Sequence, residues 1–260
     1  MSNTKRATRP TPLPRKGTSQ ATKIAIAVIA LLCVAAVIAI PILLNGGDDD
    51  SSAQVSSHPN PTSVDDVSCD KPPATPSNPK QFSTPPPASL AENTTWNATL
   101  HTTCGDITVQ LDGKAAPQTV ASFIHLAREG YWNDGPCHRV TTEESSIHVL
   151  QCGDPTGTGS GSPGYGFGIE NAPASGHYPR GTLAMARSSD PNSNGGQFFL
   201  VYKDTQLPTQ DGGYSIFGKV TGGLQIVDAI AKQGTDGANG DGAPSQPISI
   251  LSVDVEKANS

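Results

Sequence analysis

Apolar and polar residues alternate through the second half of the chain. Trp96, Ala98 and Leu100 alternate with polar residues, as do Ile107, Val109 and Leu111, and 102–105 between them reads as a turn; together they predict a hairpin. Two stretches follow the helical period instead. In 116–128, Pro117 falls near the first turn and Val120, Phe123, Ile124 and Ala127 share one face. In 223–232, Leu224, Val227 and Ile230 lie on one side. Further strand-like runs occur at 138–140, 147–151, 182–187, 197–202, 215–220 and 248–255. Eight strands and two helices within 93–257 predict a mainly β domain, a closed eight-stranded antiparallel β-barrel capped by two α-helices.

The first third of the chain follows neither period. Residues 24–44, IAIAVIALLCVAAVIAIPILL, carry no charge and no strong hydrogen-bonding side chain. A helix of that length spans a hydrocarbon core of about 30 Å, so the run is expected to be a single transmembrane anchor. It exceeds the apolar region of a cleaved signal peptide, and no small-residue cleavage site follows it. Cys33 sits mid-run without the small residues that precede a lipid-modified cysteine. Basic residues flank the run only on its N-terminal side, which predicts a cytoplasmic tail at 1–23 and an extracytoplasmic domain on a single-pass protein of the cell membrane. The segment 45–92 opens with Asp48-Asp49-Asp50, is rich in Pro and Ser, and scatters its apolar residues singly. It is expected to be a disordered linker, because it buries too little surface to offset its ordering entropy. Cys69 is odd in a pure spacer and points to partial pinning onto the domain at 93–257.

Composition sharpens this division. With 27 Gly, 23 Pro, 15% charged and 5% aromatic residues in 260, the chain suits a loop-rich β domain and argues against a helical bundle. Residues 1–44 hold six Lys/Arg and no acid, whereas the rest holds eleven Lys/Arg and all 23 acids. A net charge of −6 argues against a nucleic-acid partner, which usually needs a basic face. Besides Cys33 there are Cys69, Cys104, Cys137 and Cys152, an even number that permits two disulfides in three possible pairings. The six His residues show no metal-ligand spacing, so no metal is expected. The GxGxxG match at 159–164 is interrupted by Pro163 and opens no helix, which makes a nucleotide site a poor reading. Two glycosylation sequons, at Asn93 and Asn97, matter only in a eukaryotic secretory pathway.

Five motifs then follow in one order: Cys137-His138-Arg139-Val140; Leu150-Gln151-Cys152-Gly153-Asp154; Gly181-Thr182-Leu183-Ala184-Met185-Ala186; Asn192-Ser193-Asn194-Gly195-Gly196-Gln197-Phe198-Phe199; and Phe217-Gly218-Lys219-Val220. Over 93–257 the chain resembles the cyclophilin-type peptidyl-prolyl cis-trans isomerases, which read F-H-R-V, Q-G-G-D, L-S-M-A-N, N-x-N-G-S-Q-F-F and F-G-K-V. With its anchor and linker it is similar to their membrane-tethered bacterial branch. The resemblance implies roles for individual residues. Arg139 matches the catalytic arginine, Gln151 and Gln197 the groups that bind substrate backbone, and Phe199 the floor of the proline pocket. Ala186 matches the residue whose backbone engages the peptide before proline, and Leu207 a pocket-wall leucine. It also places Cys137 and Cys152 on neighbouring strands, which implies a Cys137–Cys152 bridge and leaves Cys69 with Cys104.

The chain departs from the family pattern at several of these positions. Counting back from Gln151 puts His148 where a pocket aromatic is expected and Val149 in place of a methionine. Arg187 replaces an asparagine, Tyr214 a pocket histidine, and Gln206 the tryptophan before Leu207, so weak or no cyclosporin binding is expected. Four extra residues between Arg139 and Gln151 imply a longer acidic loop around 142–146. The implied reaction needs no cofactor, since rotation about an X-Pro bond makes and breaks no covalent bond. Its substrates would be proline-containing polypeptides, with exported proteins assisted in folding. The altered pocket keeps a second class open: a catalytically weak, membrane-tethered proline-binding scaffold.

Overall fold

The hairpin alternation is realised residue for residue. The computed structural model describes residues 60–259; the tail, the 24–44 anchor and linker residues 45–59 lie outside them. Strands β1 (Thr95–Thr102) and β2 (Gly105–Asp112) pair from Thr95 with Asp112 to Thr102 with Gly105. Trp96, Ala98 and Leu100 of one strand and Ile107, Val109 and Leu111 of the other are buried. Gly105 supports the tight turn with φ +108°, a region costly for any residue with a Cβ. Helix α1 (Pro117–Arg128) buries the face expected of it. Its N-terminus lacks a local cap, and the Glu170 carboxylate supplies one from a distance, accepting the N–H groups of Gln118 and Thr119 at 3.0 and 2.8 Å. Helix α2 (Leu224–Gln233) starts after Gly223 at φ +79° and buries Ile226, Val227 and Ile230.

The remaining strands are β3 (Gly135–Pro136), β4 (Arg139–Thr141), β5 (Val149–Cys152), β6 (His177–Tyr178) and β7 (Thr182–Met185). They continue with β8 (Phe198–Val201), β9 (Thr205–Gln206), β10 (Ile216–Gly222), β11 (Asp241–Gly242) and β12 (Ser249–Lys257). One antiparallel sheet takes the order β11-β4-β5-β8-β7-β10-β2-β1-β12-β3, and β6 pairs with β9 apart from it. The eight longer strands are those the sequence pattern predicts. The four extra ones are two residues long, too short for any period to register. Among the described residues no pairing joins β11 to β3, the two ends of the order. Only Cys137 and His138 separate β3 from β4, so one short stretch pairs with β12 and then with β5.

Strand β8 is buried on both faces. Phe198 joins Phe123, Trp132 and Phe217 in the main core under α1. Its neighbour Phe199 points the other way and gathers Val149, Tyr178, Ala184 and Leu207 into a second cluster. That second cluster underlies the site.

Residues 60–92, expected to be disordered, are folded onto the domain. Cys69 is bridged to Cys104, the Asp70 N–H donates to Thr103 O at 2.7 Å, and the Phe82 N–H donates to Pro163 O at 2.7 Å. The Phe82 ring meets His125 edge-on at 4.7 Å. Further along, Gln118 Nε2 donates to Pro86 O at 2.9 Å, and Ala91 is fully buried. Composition misleads here because the prolines that argue against a packed core also restrict the unfolded chain, which lowers the entropy lost on docking. A few anchors then suffice.

Candidate active site

Three adjacent strands bring the site together. Their register sets Arg139 opposite Gln151 and Gln151 opposite Phe199, and β7 extends the row with Ala184 opposite Phe199. The Cys137–Cys152 bridge ties the stretch just before β4 to the end of β5 beside this row. Strand alternation decides which neighbours join it. Ile147, Val149 and Gln151 line a cleft of about 480 Å³, together with Phe199, Leu207, Ala186, Arg187 and Tyr214. Val149, Phe199 and Leu207 are buried and give the cleft an apolar floor, while Arg139, Gln151, Arg187 and Asp241 supply polar groups around it.

His148, expected as the pocket aromatic, is not among the residues lining the cleft. It is one position out of phase with Val149 and Gln151. Its ring meets Tyr202 edge-on at 5.7 Å, and its Nε2 lies 3.9 Å from Glu143 Oε2. Ile147 takes the lining position instead. Counting in twos from Gln151 finds Ile147; matching the motif residue by residue passes over it.

Arg139 is held by two partners. Its Nε–H and one Nη2–H donate to Oδ1 and Oδ2 of Asp241 at 2.6 and 2.7 Å, and Nη1 donates to Gln151 Oε1 at 3.1 Å. The hydrogen bonds to Asp241 raise the Arg139 pKa and hold the Asp241 carboxylate below its ordinary value. Asp241 carried no signal in the sequence, being far from Arg139 along the chain and outside every motif. His138 also lines the cleft, and burial lowers its pKa, which favours the neutral ring at pH 7.

Gln197 sits beside the cleft in another role. Gln151 Nε2 donates to Gln197 Oε1 at 3.0 Å, and Gln197 Nε2 donates to the carbonyls of Gly159 and Gly161 at 3.0 and 2.9 Å. Both ends of an amide expected to bind substrate are thus engaged within the protein. Gln197 lines an adjoining cavity of about 630 Å³, which shares Gln151, Gly159, Ala186 and Arg187 with the cleft. The loop between the two cavities is anchored by fully buried Asp154, whose carboxylate accepts N–H groups from Thr156 and Gly161 at 2.8 and 3.0 Å. Burial alone would push the Asp154 pKa up; these bonds outweigh it and hold the pKa below the ordinary value. A Cβ on Gly161 would lie 1.9 Å from Asp154 Oδ1, so this glycine permits the close approach.

Arg187 fastens the opposite lip. Its Nε, Nη1 and Nη2 donate to the carbonyls of Gly213, Ser188 and Gln210, and its guanidinium lies 5.1 Å from the Tyr214 ring centroid. Tyr214 in turn meets Phe199 edge-on at 5.8 Å. Among the described residues no group of three or more His, Cys, Asp or Glu could hold a metal ion.

An apolar cleft with a fixed guanidinium at its edge suits a small apolar ring next to a polar backbone. Comparison with known proteins agrees with that chemistry. The family model described as cyclophilin type peptidyl-prolyl cis-trans isomerase/CLD matches residues 98–255. A "Probable peptidyl-prolyl cis-trans isomerase B" of Mycobacterium tuberculosis is 44% identical over 163 residues, covering 57% of this chain and 51% of that protein. A protein of the same description from Mycobacterium leprae is 40% identical over 200 residues, covering 72% and 66%. The chain thus spans about half to two thirds of the length of these curated relatives. A crystal structure of a Cryptosporidium parvum cyclophilin type isomerase, determined in the presence of the dipeptide Ala-Pro, superposes with a TM-score of 0.52 at 30% identity, covering 62% of this chain and 99% of that one. The strand row through Arg139, Gln151 and Phe199 therefore has its explanation in descent: this chain belongs to the cyclophilin-type peptidyl-prolyl cis-trans isomerase family.

Proposed function

We propose that the chain is an active peptidyl-prolyl cis-trans isomerase that accelerates X-Pro rotation in exported proteins and so assists their folding. The observation that carries this reading is Arg139 at the apolar cleft. A guanidinium has five N–H donors, and three are engaged by Asp241 and Gln151, which leaves one on each Nη for a substrate. The uncatalysed barrier is about 18–20 kcal/mol because rotation breaks amide conjugation. A donor aimed at the prolyl nitrogen stabilises the twisted, pyramidal state more than the planar one, which is differential transition-state binding. One charged hydrogen bond contributes about 1.5–3 kcal/mol, or about 10–150-fold in rate. Further acceleration would come from the cleft over Phe199, Val149, Ile147 and Leu207, which holds the ring while the preceding carbonyl turns. That the Cryptosporidium structure was determined in the presence of Ala-Pro supports proline-containing peptides as the ligand class.

Counting β3 and β4 as one bent strand, and setting β11 aside as an added edge on β4, leaves eight strands that return on themselves, which favours a closed barrel. The 24–44 run and the charge asymmetry across it favour a single-pass anchor with the catalytic domain outside the cytoplasm. Two disulfides suit that oxidising side. Gln206 in place of a tryptophan favours weak cyclosporin binding.

The test is the relaxation rate of a cis Ala-Pro peptide with the full chain and with its Arg139→Ala variant. Arg139→Ala is expected to lower kcat/KM at least ten-fold with the fold intact. A folded wild-type chain that binds the peptide without accelerating it would leave a proline-binding scaffold as the function.

A further inference from the structure

Asp241 meets Arg139 through the side of the guanidinium formed by Nε and Nη2, at 2.6 and 2.7 Å. We infer that Asp241 is a positioning residue for catalysis, fixing the Arg139 fork so that its remaining N–H groups face the substrate; this rests on the isomerase reading above.

Arginine has a long, rotamer-rich side chain, and a donor left to sample several rotamers at a cleft edge gives up much of its transition-state stabilisation. Gln151 alone contacts a single nitrogen and leaves the guanidinium plane free to turn. A carboxylate taking two parallel N–H groups fixes both plane and direction. The element that presents this carboxylate is itself cross-braced by hydrogen bonds. Residues 234–245 form a hairpin-like loop after α2, in which the Asp236 N–H donates to Ala243 O and the Ser245 N–H to Gly234 O, both at 3.0 Å. The Asp236 carboxylate accepts the Ala243 N–H at 2.8 Å. Gly237 lies so close beneath Asp241 that a Cβ there would come 1.8 Å from the Asp241 carbonyl oxygen. This loop is then stitched to the strand of Arg139 itself, with Asp241 opposite Thr141 and Gly242 opposite Val140. Catalytic arginine and positioning carboxylate therefore share one ladder.

The pair is also badly placed for a purely structural role. The Arg139 and Asp241 side chains are 35% and 39% exposed, and ion pairs so wet add little to stability. Positioning and stability thus make different predictions for the same substitution.

The experiment measures kcat, KM and thermal midpoint for the full chain and its Asp241→Asn and Asp241→Glu variants, with Asp241→Asn repeated in the Arg139→Ala background. Asp241→Asn should lower kcat about ten-fold while KM stays within two-fold and the midpoint within a few degrees. Asp241→Glu, which keeps the carboxylate on a longer arm, should recover part of the loss, and Asp241→Asn should change nothing further once Arg139 is gone. An unchanged or raised kcat in Asp241→Asn, or an equal loss in the Arg139→Ala background, overturns the inference alone. A wild-type chain without isomerase activity overturns the functional reading and this inference together.

Discussion

His101 stands between two carboxylates on three neighbouring strands, with Nδ1 2.8 Å from Asp106 Oδ1 and Nε2 3.1 Å from Asp254 Oδ2. Burial alone would lower its pKa, but the bonds to Asp106 and Asp254 outweigh burial and raise it above 6.5. A raised pKa means that the folded state binds the proton more tightly than the unfolded chain does. The contribution is therefore fully present below about pH 6.5 and fades as pH rises through the raised value. His101→Gln should be less stable than wild type by about 0.5–1 kcal/mol at pH 5.5, a few degrees in midpoint at most, and nearly equal to it at pH 9. Thermal melts at both pH values check this; a gap that is constant or grows with pH would refute it. At this scale the site was only partly legible. Arg139, Gln151 and Phe199 lie in motifs that match the cyclophilin pattern, so the resemblance implied that they share one site. His148 was misplaced because the face of a strand is set by parity rather than by motif position. Asp241 was invisible because its partner is brought near only by the sheet.

Among the elements, the docked segment 60–92 differs most from its expectation, and its strongest tie is the Cys69–Cys104 bridge. That bridge closes a loop with a sequence separation of 35 residues. In the chain-entropy account a loop of this length removes about 3–4 kcal/mol of unfolded-state freedom. Replacing both cysteines with alanine should lower stability by about that amount in a denaturant titration. Limited proteolysis followed by mass spectrometry should then find new cuts within 70–87, which the bridged chain resists. Equal resistance in both proteins would mean that Phe82 and the backbone bonds hold the segment without the bridge. Elements with a long period were legible: the hairpin, α1, α2 and the longer strands all fall within a few residues of their expected places. The two-residue strands were not, since two residues show no alternation. Nor was the docked segment, whose anchors are single apolar residues such as Phe82 and Ala91, one sulfur, and isolated polar groups such as Asn60 and Gln81, scattered through a sequence of disordered composition.

For the molecule as a whole, the charge pattern around 24–44 bears on the proposed placement of the cyclophilin-type domain. The run at 24–44 has 21 residues and no charge, with all the nearby basic residues before it and Asp48-Asp49-Asp50 soon after it. Burying such a run in lipid satisfies its apolar surface, and the charge asymmetry opposes moving the N-terminus across an energised membrane. The proposed extracytoplasmic placement also suits the Cys69–Cys104 and Cys137–Cys152 bridges, since disulfides form and persist mainly in oxidising compartments. The full chain should therefore sediment with membranes, stay there through high salt and alkaline carbonate, and enter solution with detergent. Deleting 24–44 should release it into the soluble cytoplasmic fraction with the four domain cysteines reactive to a thiol reagent, whereas the anchored chain should leave all four unreactive. Protease added outside intact cells with the outer envelope removed should remove the domain and spare the tail at 1–23. Extraction by carbonate alone would sink the anchor, and a domain shielded from external protease would place it on the cytoplasmic side. In that second case the bridges would have to persist against a reducing environment, and the thiol measurement on the same samples would show whether they do.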